Sequence, residues 1–79
     1  METSIDRLEA GQSGRVSDIE GGVGLIHKLE SMGIRTGKWV TKVSSQFMQG
    51  PVTVKVGGRQ LAMGHGIAAK VQVETEPDD

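Results

Sequence analysis

The sequence predicts a small all-β barrel with one short inserted helix. Twelve glycines but only two aromatic residues, Trp39 and Phe47, occur in 79 residues, which indicates many tight turns and little bulk. Between the glycines, apolar residues mostly recur at every second position, as in strands that bury one face. One segment has helical spacing instead. The length allows one domain with a stability of only roughly 3–5 kcal/mol.

The clearest strand signal is the Gly57-Gly58 pair between two runs that alternate apolar and polar residues. Such a pair is typical of a two-residue hairpin turn, because both turn residues adopt positive φ. The two runs should place their apolar residues on one face of the hairpin. The predicted cross-strand pairs are Val52 with Met63, Val54 with Leu61 and Val56 with Arg59.

Two other predicted strands carry apolar residues at both parities. Val16 and Ile19 lie at opposite parity in the first of these strands. Val40 and Val43 do so in the second. A strand of this kind is either bulged or covered on both sides. Residues 71–73 predict a short last strand.

The helical segment is expected at about residues 23–32. Its apolar side chains fall within an arc of roughly 120° on a helical wheel; they are Leu25, Ile26, Leu29 and Met32. Gly33 follows as the expected left-handed residue that ends the helix. Ile34 should then turn back onto Leu29.

The charge is distributed unevenly along the chain. The whole sequence carries −1, but four of its ten acidic residues lie in residues 74–79. Residues 1–73 contain nine basic and six acidic residues, a net charge of +3. This small excess does not predict nucleic-acid binding, and we expect no nucleic-acid partner. Residues 75–79 should form a flexible acidic tail.

The pattern predicts neither membrane insertion nor export. The longest apolar stretches are far shorter than the roughly 20 residues that cross a bilayer, and the first eleven residues lack the apolar core of a signal peptide. Because cysteine is absent, disulfides and thiolate metal sites are excluded. We expect one cytoplasmic domain over residues 1–79, with its core at about 4–74.

The residues also predict a protein without catalytic or cofactor-binding groups. Residues 21–24 are rich in glycine but lack the phosphate-binding motif, and residues 37–38 are followed by Trp39 where that motif needs a hydroxyl. No nucleophile is fixed near a base by its spacing. A chain this short leaves little room for a walled cleft.

Metal ligands are sparse. His27 and Glu30 share a helical face at i, i+3, so they are weak candidates for a labile cation site, and otherwise belong to a solvated polar face. His65 lies between two glycines, in what should be a mobile turn that would hold a ligand poorly. We expect no dedicated metal site and no required cofactor.

The partner-binding candidates are Phe47, Met48 and Trp39. Phe47 and Met48 lie in a predicted loop, where large apolar side chains are typical of contact surfaces. Phe47 is either such an anchor or a lid over the open end of the barrel. Trp39 is next to Val40 in a strand, so one of the two should face outward.

Several segments together resemble the FeoA family, the ferrous iron transport protein A domains. Residues 8–16 resemble its opening L-x-x-G-x-x-G-x-V, and residues 29–37 resemble its L-x-x-L/M-G-hydrophobic-x-x-G. Residues 50–52 and 63–73 resemble its Gly-Pro strand and its closing segment. The likeness covers about residues 4–74 with the spacing preserved.

This resemblance implies an SH3-like barrel of five to six strands with one inserted helix. It also implies a cytoplasmic accessory protein that docks on a membrane ferrous iron permease with a GTPase domain, and is peripheral to the membrane only through that partner. Catalytic residues are not implied, and contact with Fe²⁺ would be transient. The expected structural turns lie at Gly33, Gly37, Gly57 and Gly58.

Two segments depart from the family pattern, and rival functions stay open. Residues 46–51 replace the usual A-P-L-G-D-P loop, and Gly64 replaces an arginine, so the partner surface should differ from the usual one. The alternatives are an RNA-binding KOW or SH3-like barrel and a regulatory barrel of the kind found in metal-dependent repressors. The first should have a denser basic face or more stacking aromatics, and the second would read no DNA without a helix-turn-helix.

Overall fold

A computed structural model describes residues 1–45 and 50–75. Six strands and three helical segments follow one another within these residues. The strands are β1 (Glu2–Ser4), β2 (Ser13–Ile19), β3 (Trp39–Ser45), β4 (Val52–Val56), β5 (Arg59–Met63) and β6 (Val71–Glu74). The helical segments are a 3₁₀ turn (Ile5–Arg7), α1 (Val23–Ser31) and α2 (His65–Ala68).

All six strands form one antiparallel sheet in the order β1-β6-β2-β3-β4-β5. The sheet coils into the predicted SH3-like barrel, with α1 inserted between β2 and β3 as expected. Strands β1 and β5 stand at its two ends. The interior holds the buried apolar side chains, which come from every strand except β1: Val16, Val40, Val52, Val54, Val56, Met63, Val71 and Val73 from the strands, with Ile5, Leu8, Leu29, Ile34 and Ala68 from other segments.

The β4–β5 hairpin has the predicted register. Val54 pairs with Leu61, and the pairs on either side follow in step. Gly57 and Gly58 have φ of 56° and 84°, the combination that a two-residue turn needs to match the twist of its strands. The inward side chains of β4 are fully or almost fully buried, whereas Lys55 is exposed.

Two β-bulges account for the apolar residues at mixed parity. The β2–β6 register shifts between Val16 and Asp18. The β3–β4 register shifts between Lys42 and Ser44, which leaves Val43 without a partner on β4. Val43 has the same parity as the outward-facing Trp39 and is 37% exposed. Of the two explanations open to the sequence, the bulge is therefore correct for both strands.

The end of α1 is a complete Schellman motif. The Ile34 N–H donates to the Leu29 carbonyl at 2.9 Å, and the Gly33 N–H donates to the Glu30 carbonyl at 3.0 Å. Gly33 has φ of 91°, which favours glycine because a Cβ would be strained there. The motif turns the chain back and buries Ile34 completely.

The prediction of a mobile turn at His65 is wrong. His65 begins α2, whose backbone bonds include Ala68 N–H to the Gly64 carbonyl at 3.0 Å. The sequence also did not indicate β1 or the 3₁₀ turn, which pack against β6 and α2. These short elements depend on contacts between the two ends of the chain, so local spacing does not reveal them.

Candidate partner-binding face

One side of the sheet faces away from the core across three neighbouring strands. We call it the outer β2–β4 face, defined by Ser13, Arg15, Trp39, Thr41 and Lys55. Trp39 pairs with Arg15, and Thr41 lies between Ser13 and Lys55. Residues directly opposite each other in a sheet share a face, so these five side chains form one continuous surface.

Strand β3 separates its residues sharply between the two sides of the sheet. Val40 is completely buried, whereas Trp39 is 47% exposed. Of these two neighbours, it is therefore the tryptophan that faces outward. The Trp39 backbone is paired with Arg15 in the sheet, and tryptophan is enriched among the residues that dominate binding energy.

Two basic side chains flank this tryptophan surface. Arg15 and Lys55 are both exposed, and neither forms an ion pair within residues 1–45 and 50–75. Arg15 is also opposite Glu74. The Glu74 carboxylate, however, accepts a hydrogen bond from the N-terminal ammonium group, with 3.0 Å between the Met1 nitrogen and Glu74 Oε1. The outer β2–β4 face therefore presents net positive charge next to an exposed ring.

A hydroxyl pair links β2 to β3 on this face. The Ser13 and Thr41 hydroxyl oxygens lie 2.7 Å apart, which joins β2 to β3 by a side-chain hydrogen bond as well as by the backbone. Thr–Ser pairs of this kind stabilise neighbouring strands. The sequence predicted Trp39 but not its neighbours Arg15 and Lys55, because only the cross-strand register brings them together.

Phe47 and Met48, the other predicted contact residues, lie outside the described residues. In the sequence, the exposed Val43 of β3 is four positions before Phe47 and five before Met48. The choice between lid and anchor for Phe47 therefore stays a prediction.

A polar cluster lies on the inward side of β3, under α2. Lys42 is only 4% exposed, and its Nζ donates to the carbonyl oxygens of Asp6 at 2.9 Å and Leu8 at 2.6 Å. The Asp6 carboxylate accepts a hydrogen bond from the Ser4 hydroxyl and lies 3.6 Å from His65 Nε2. A buried ammonium needs such partners, so this cluster fastens the 3₁₀ turn to β3.

The candidate metal residues are placed apart from this cluster. His27 and Glu30 are exposed on α1, as the wheel predicts. In the described part of the chain, no three His, Cys, Asp or Glu side chains come together as ligands. The expectation that the protein has no dedicated metal site stays a prediction.

Comparison with known proteins gives the family. The model of the FeoA domain family matches residues 3–75. A protein of Methanocaldococcus jannaschii named Fe(2+) transport protein A is 37% identical over 59 residues, which cover 75% of this chain and 70% of that protein. This chain belongs to the FeoA family.

Solved FeoA structures have the same fold. The crystal structure of an iron uptake regulatory protein (FeoA) is 33% identical, with a TM-score of 0.87 over 96% of this chain and 99% of that one. A FeoA-like protein from Clostridium acetobutylicum is 19% identical, with a TM-score of 0.85 over 99% and 91%. This second likeness shows the fold alone.

The FeoA fold also occurs inside larger regulators. A manganese-dependent transcriptional repressor is 16% identical with a TM-score of 0.85, and the match covers 95% of this chain but 42% of the repressor. The likeness shows that the two share a barrel.

Within residues 1–45 and 50–75, this FeoA chain has no helix with the length and apolar content needed to cross a membrane.

Proposed function

We propose that this FeoA-family protein docks on the cytoplasmic side of a membrane Fe²⁺ permease that carries a GTPase domain, and supports Fe²⁺ uptake without a catalytic step of its own. The support is the family match together with the name of the relative from Methanocaldococcus jannaschii, an Fe(2+) transport protein A. Iron is the cargo of the partner, and contact between this chain and Fe²⁺ is transient.

The observation that carries the proposal is the outer β2–β4 face. Tryptophan and arginine are enriched among residues that dominate binding energy, and here Trp39 and Arg15 are cross-strand neighbours. Neither side chain belongs to the buried core. A partner can therefore contact both side chains without exposing any residue of the buried core.

The charge of this face indicates the kind of surface that it binds. Arg15 and Lys55 favour an acidic patch on the partner, because complementary potentials speed association and fix its orientation. Exposed charges more than about 8–10 Å apart are screened at physiological salt. We therefore expect the association rate to fall as salt rises, while the apolar contact of Trp39 with the partner persists.

The proposal is tested with Trp39→Ser in the full-length protein, co-expressed with its permease. We expect reduced co-purification with the permease and reduced Fe²⁺ uptake at limiting iron, with an unchanged urea midpoint. Val23→Ser is the matched control, because Val23 is 68% exposed on α1, outside the face. Loss of uptake in both variants, or in neither, would count against the outer β2–β4 face as the docking surface.

An RNA-binding barrel is the second candidate, and the same face is what favours it. An exposed ring beside two basic side chains can stack on a base and contact its phosphate. Trp39 is the single tryptophan of the chain, so its fluorescence reports on this face directly. Strong quenching by a single-stranded RNA homopolymer at physiological salt, with normal iron uptake in a deletion strain, would favour this second function.

A further inference from the structure

We propose that the outer edge of β5 binds an extended peptide segment, which adds to the sheet as a further strand and carries an apolar side chain beside an acidic one. The proposal goes beyond docking through the outer β2–β4 face. It concerns another strand and a contact made mainly by backbone groups.

The hydrogen-bonding direction of β5 leaves one side of the strand available. The two-residue turn makes Val56 and Arg59 the pair that exchanges both backbone hydrogen bonds. Since this pattern alternates, the N–H and C=O groups of Gln60 and Ala62 point away from β4. Within the described residues, no backbone hydrogen bond reaches either of them.

An unpaired edge of this kind is a template for another strand. Natural edges are commonly blunted by proline, by a bulge or by several charges. The β4–β5 register is regular, and residues 59–63 contain no proline and one charged residue, Arg59. The β5 edge therefore keeps its capacity to pair.

A groove lies alongside this edge. Its volume is about 180 Å³, and it is lined by Ser31, Met32, Arg59, Gln60 and Leu61; we call it the β5 edge groove. Met32 and Leu61 are only partly buried and pack against the core. An added strand would place alternate side chains on this side of the sheet, so one aliphatic side chain could cover both.

The acidic side chain of the proposed peptide is inferred from the charge of Arg59. Arg59 is the single charged residue among those that line the β5 edge groove. Its Nη2 donates to the Met32 carbonyl at 3.2 Å, which holds the guanidinium at the mouth of the groove. A guanidinium has five N–H donors, so several are available for a carboxylate on the added strand.

The same charge argues against a second copy of this chain as the occupant. Two β5 edges pairing antiparallel around Leu61 would place Arg59 opposite Met63 of the other copy. Residues 59–63 contain no acidic side chain, so the guanidinium would receive no carboxylate from that strand. An acidic, partly apolar peptide complements the site better.

The experiment titrates the isotope-labelled full-length protein with a capped peptide of about eight residues, in which threonine and valine alternate around one glutamate. We expect chemical-shift changes centred on the Gln60 and Ala62 amides, and slower deuterium exchange at both. The same peptide with glutamine for glutamate should bind about five- to tenfold more weakly. A version that is N-methylated at every second residue should lose binding, because it cannot complete the ladder.

Two variants at one position separate the backbone contact from the side chain. Ala62→Pro removes the outward N–H but no hydrogen bond to β4, and we expect at least tenfold weaker binding. Ala62→Val keeps that N–H and should bind within about twofold of the wild type, since its outward N–H still pairs. Arg59→Gln should abolish the preference for the glutamate peptide.

Three outcomes would overturn the proposal: no binding at up to about 2 mM peptide, shifts that leave the Gln60 and Ala62 amides unchanged, or protection of these amides that depends on protein concentration alone. The last would identify a second copy as the occupant. If Ala62→Pro fails to fold, the backbone contact is tested with the wild-type protein instead, by comparing its binding of the N-methylated and the unmethylated peptide. No permease is present, so the result is independent of docking through Trp39.

Discussion

The two faces of β3 differ in what they contribute to the molecule. On the inward face, Val40 is completely buried and Lys42 is 4% exposed with two backbone partners. On the outward face, Trp39 is 47% exposed and faces solvent next to Arg15. If the protein docks as proposed, neighbouring residues of one strand serve stability and binding separately. Because the roles alternate along the chain, single substitutions can remove one and leave the other.

Lys42→Met should have the largest effect on stability. It removes a buried ammonium and leaves the carbonyl oxygens of Asp6 and Leu8 without their donor. The expected loss is about 2–4 kcal/mol, most of the stability of a domain this small. Urea unfolding measures it. The control is Lys55→Met on the next strand, which should change stability by less than ~0.5 kcal/mol. Equal losses in the two variants would contradict the division between the faces.

Gly14→Ala tests the inward face of β2 by adding one methyl group. The new Cβ would lie 2.9 Å from the Val73 Cβ and Cγ2 atoms, closer than packing allows. We expect a loss of about 1–3 kcal/mol from overpacking. Ser13→Ala, one residue earlier on the outward side, loses only the hydrogen bond to Thr41 and should cost about 0.5–1 kcal/mol. A reversed order of the two urea midpoints would show that β2 faces the other way.

Gly33→Val tests the turn that buries Ile34 on the inward side. A Cβ at Gly33 would meet only ordinary contacts, 3.5 Å from Arg59 Nη2 and 3.7 Å from Val56 Cγ1. The expected loss of about 1–2 kcal/mol therefore comes from the positive φ. Gly24→Ala within α1 meets open space and should stabilise the protein by about 0.5–1 kcal/mol. If both substitutions stabilise the protein, positive φ is not what requires glycine at position 33.

The smallest effect is expected from metal. If neither face binds a resident ion, stoichiometric Fe²⁺ or Zn²⁺ at micromolar levels should leave the melting temperature unchanged within about 1 °C, because only binding to the native state raises it. Anaerobic thermal unfolding measures this, with His27→Ala as the control. A shift of several degrees that disappears in His27→Ala would establish a site at His27 and Glu30 on α1.

The predictable parts of the fold are those fixed by neighbours in sequence. The β4–β5 register follows from Gly57-Gly58, and the end of α1 follows from Gly33 and the spacing of Leu29 and Ile34. Each of these involves residues fewer than twelve positions apart. Turn chemistry and hydrophobic spacing are local properties.

The parts that sequence reasoning missed depend on distant contacts. Lys42 reads as an exposed strand lysine, but its partners are the carbonyls of Asp6 and Leu8, more than thirty positions away. α2 and its His65–Asp6 contact bring distant segments together in the same way. At the candidate site, Trp39 could be predicted, whereas Arg15 and Lys55 join it only through the register. The burial of Lys42 did have one signal in the sequence, because Lys42 lies two positions after Val40 and therefore faces the same side of β3.

The most direct test of docking observes Trp39 itself. Since it is the single tryptophan, incorporation of 5-fluorotryptophan gives one ¹⁹F resonance from the outer β2–β4 face. We predict that full-length Fe²⁺ permease in nanodiscs broadens and shifts this resonance, and that Arg15→Ser weakens the effect whereas Val23→Ser does not. An unchanged resonance in a complex that co-purifies intact would show that the protein docks through another surface and contradict the role assigned to this face.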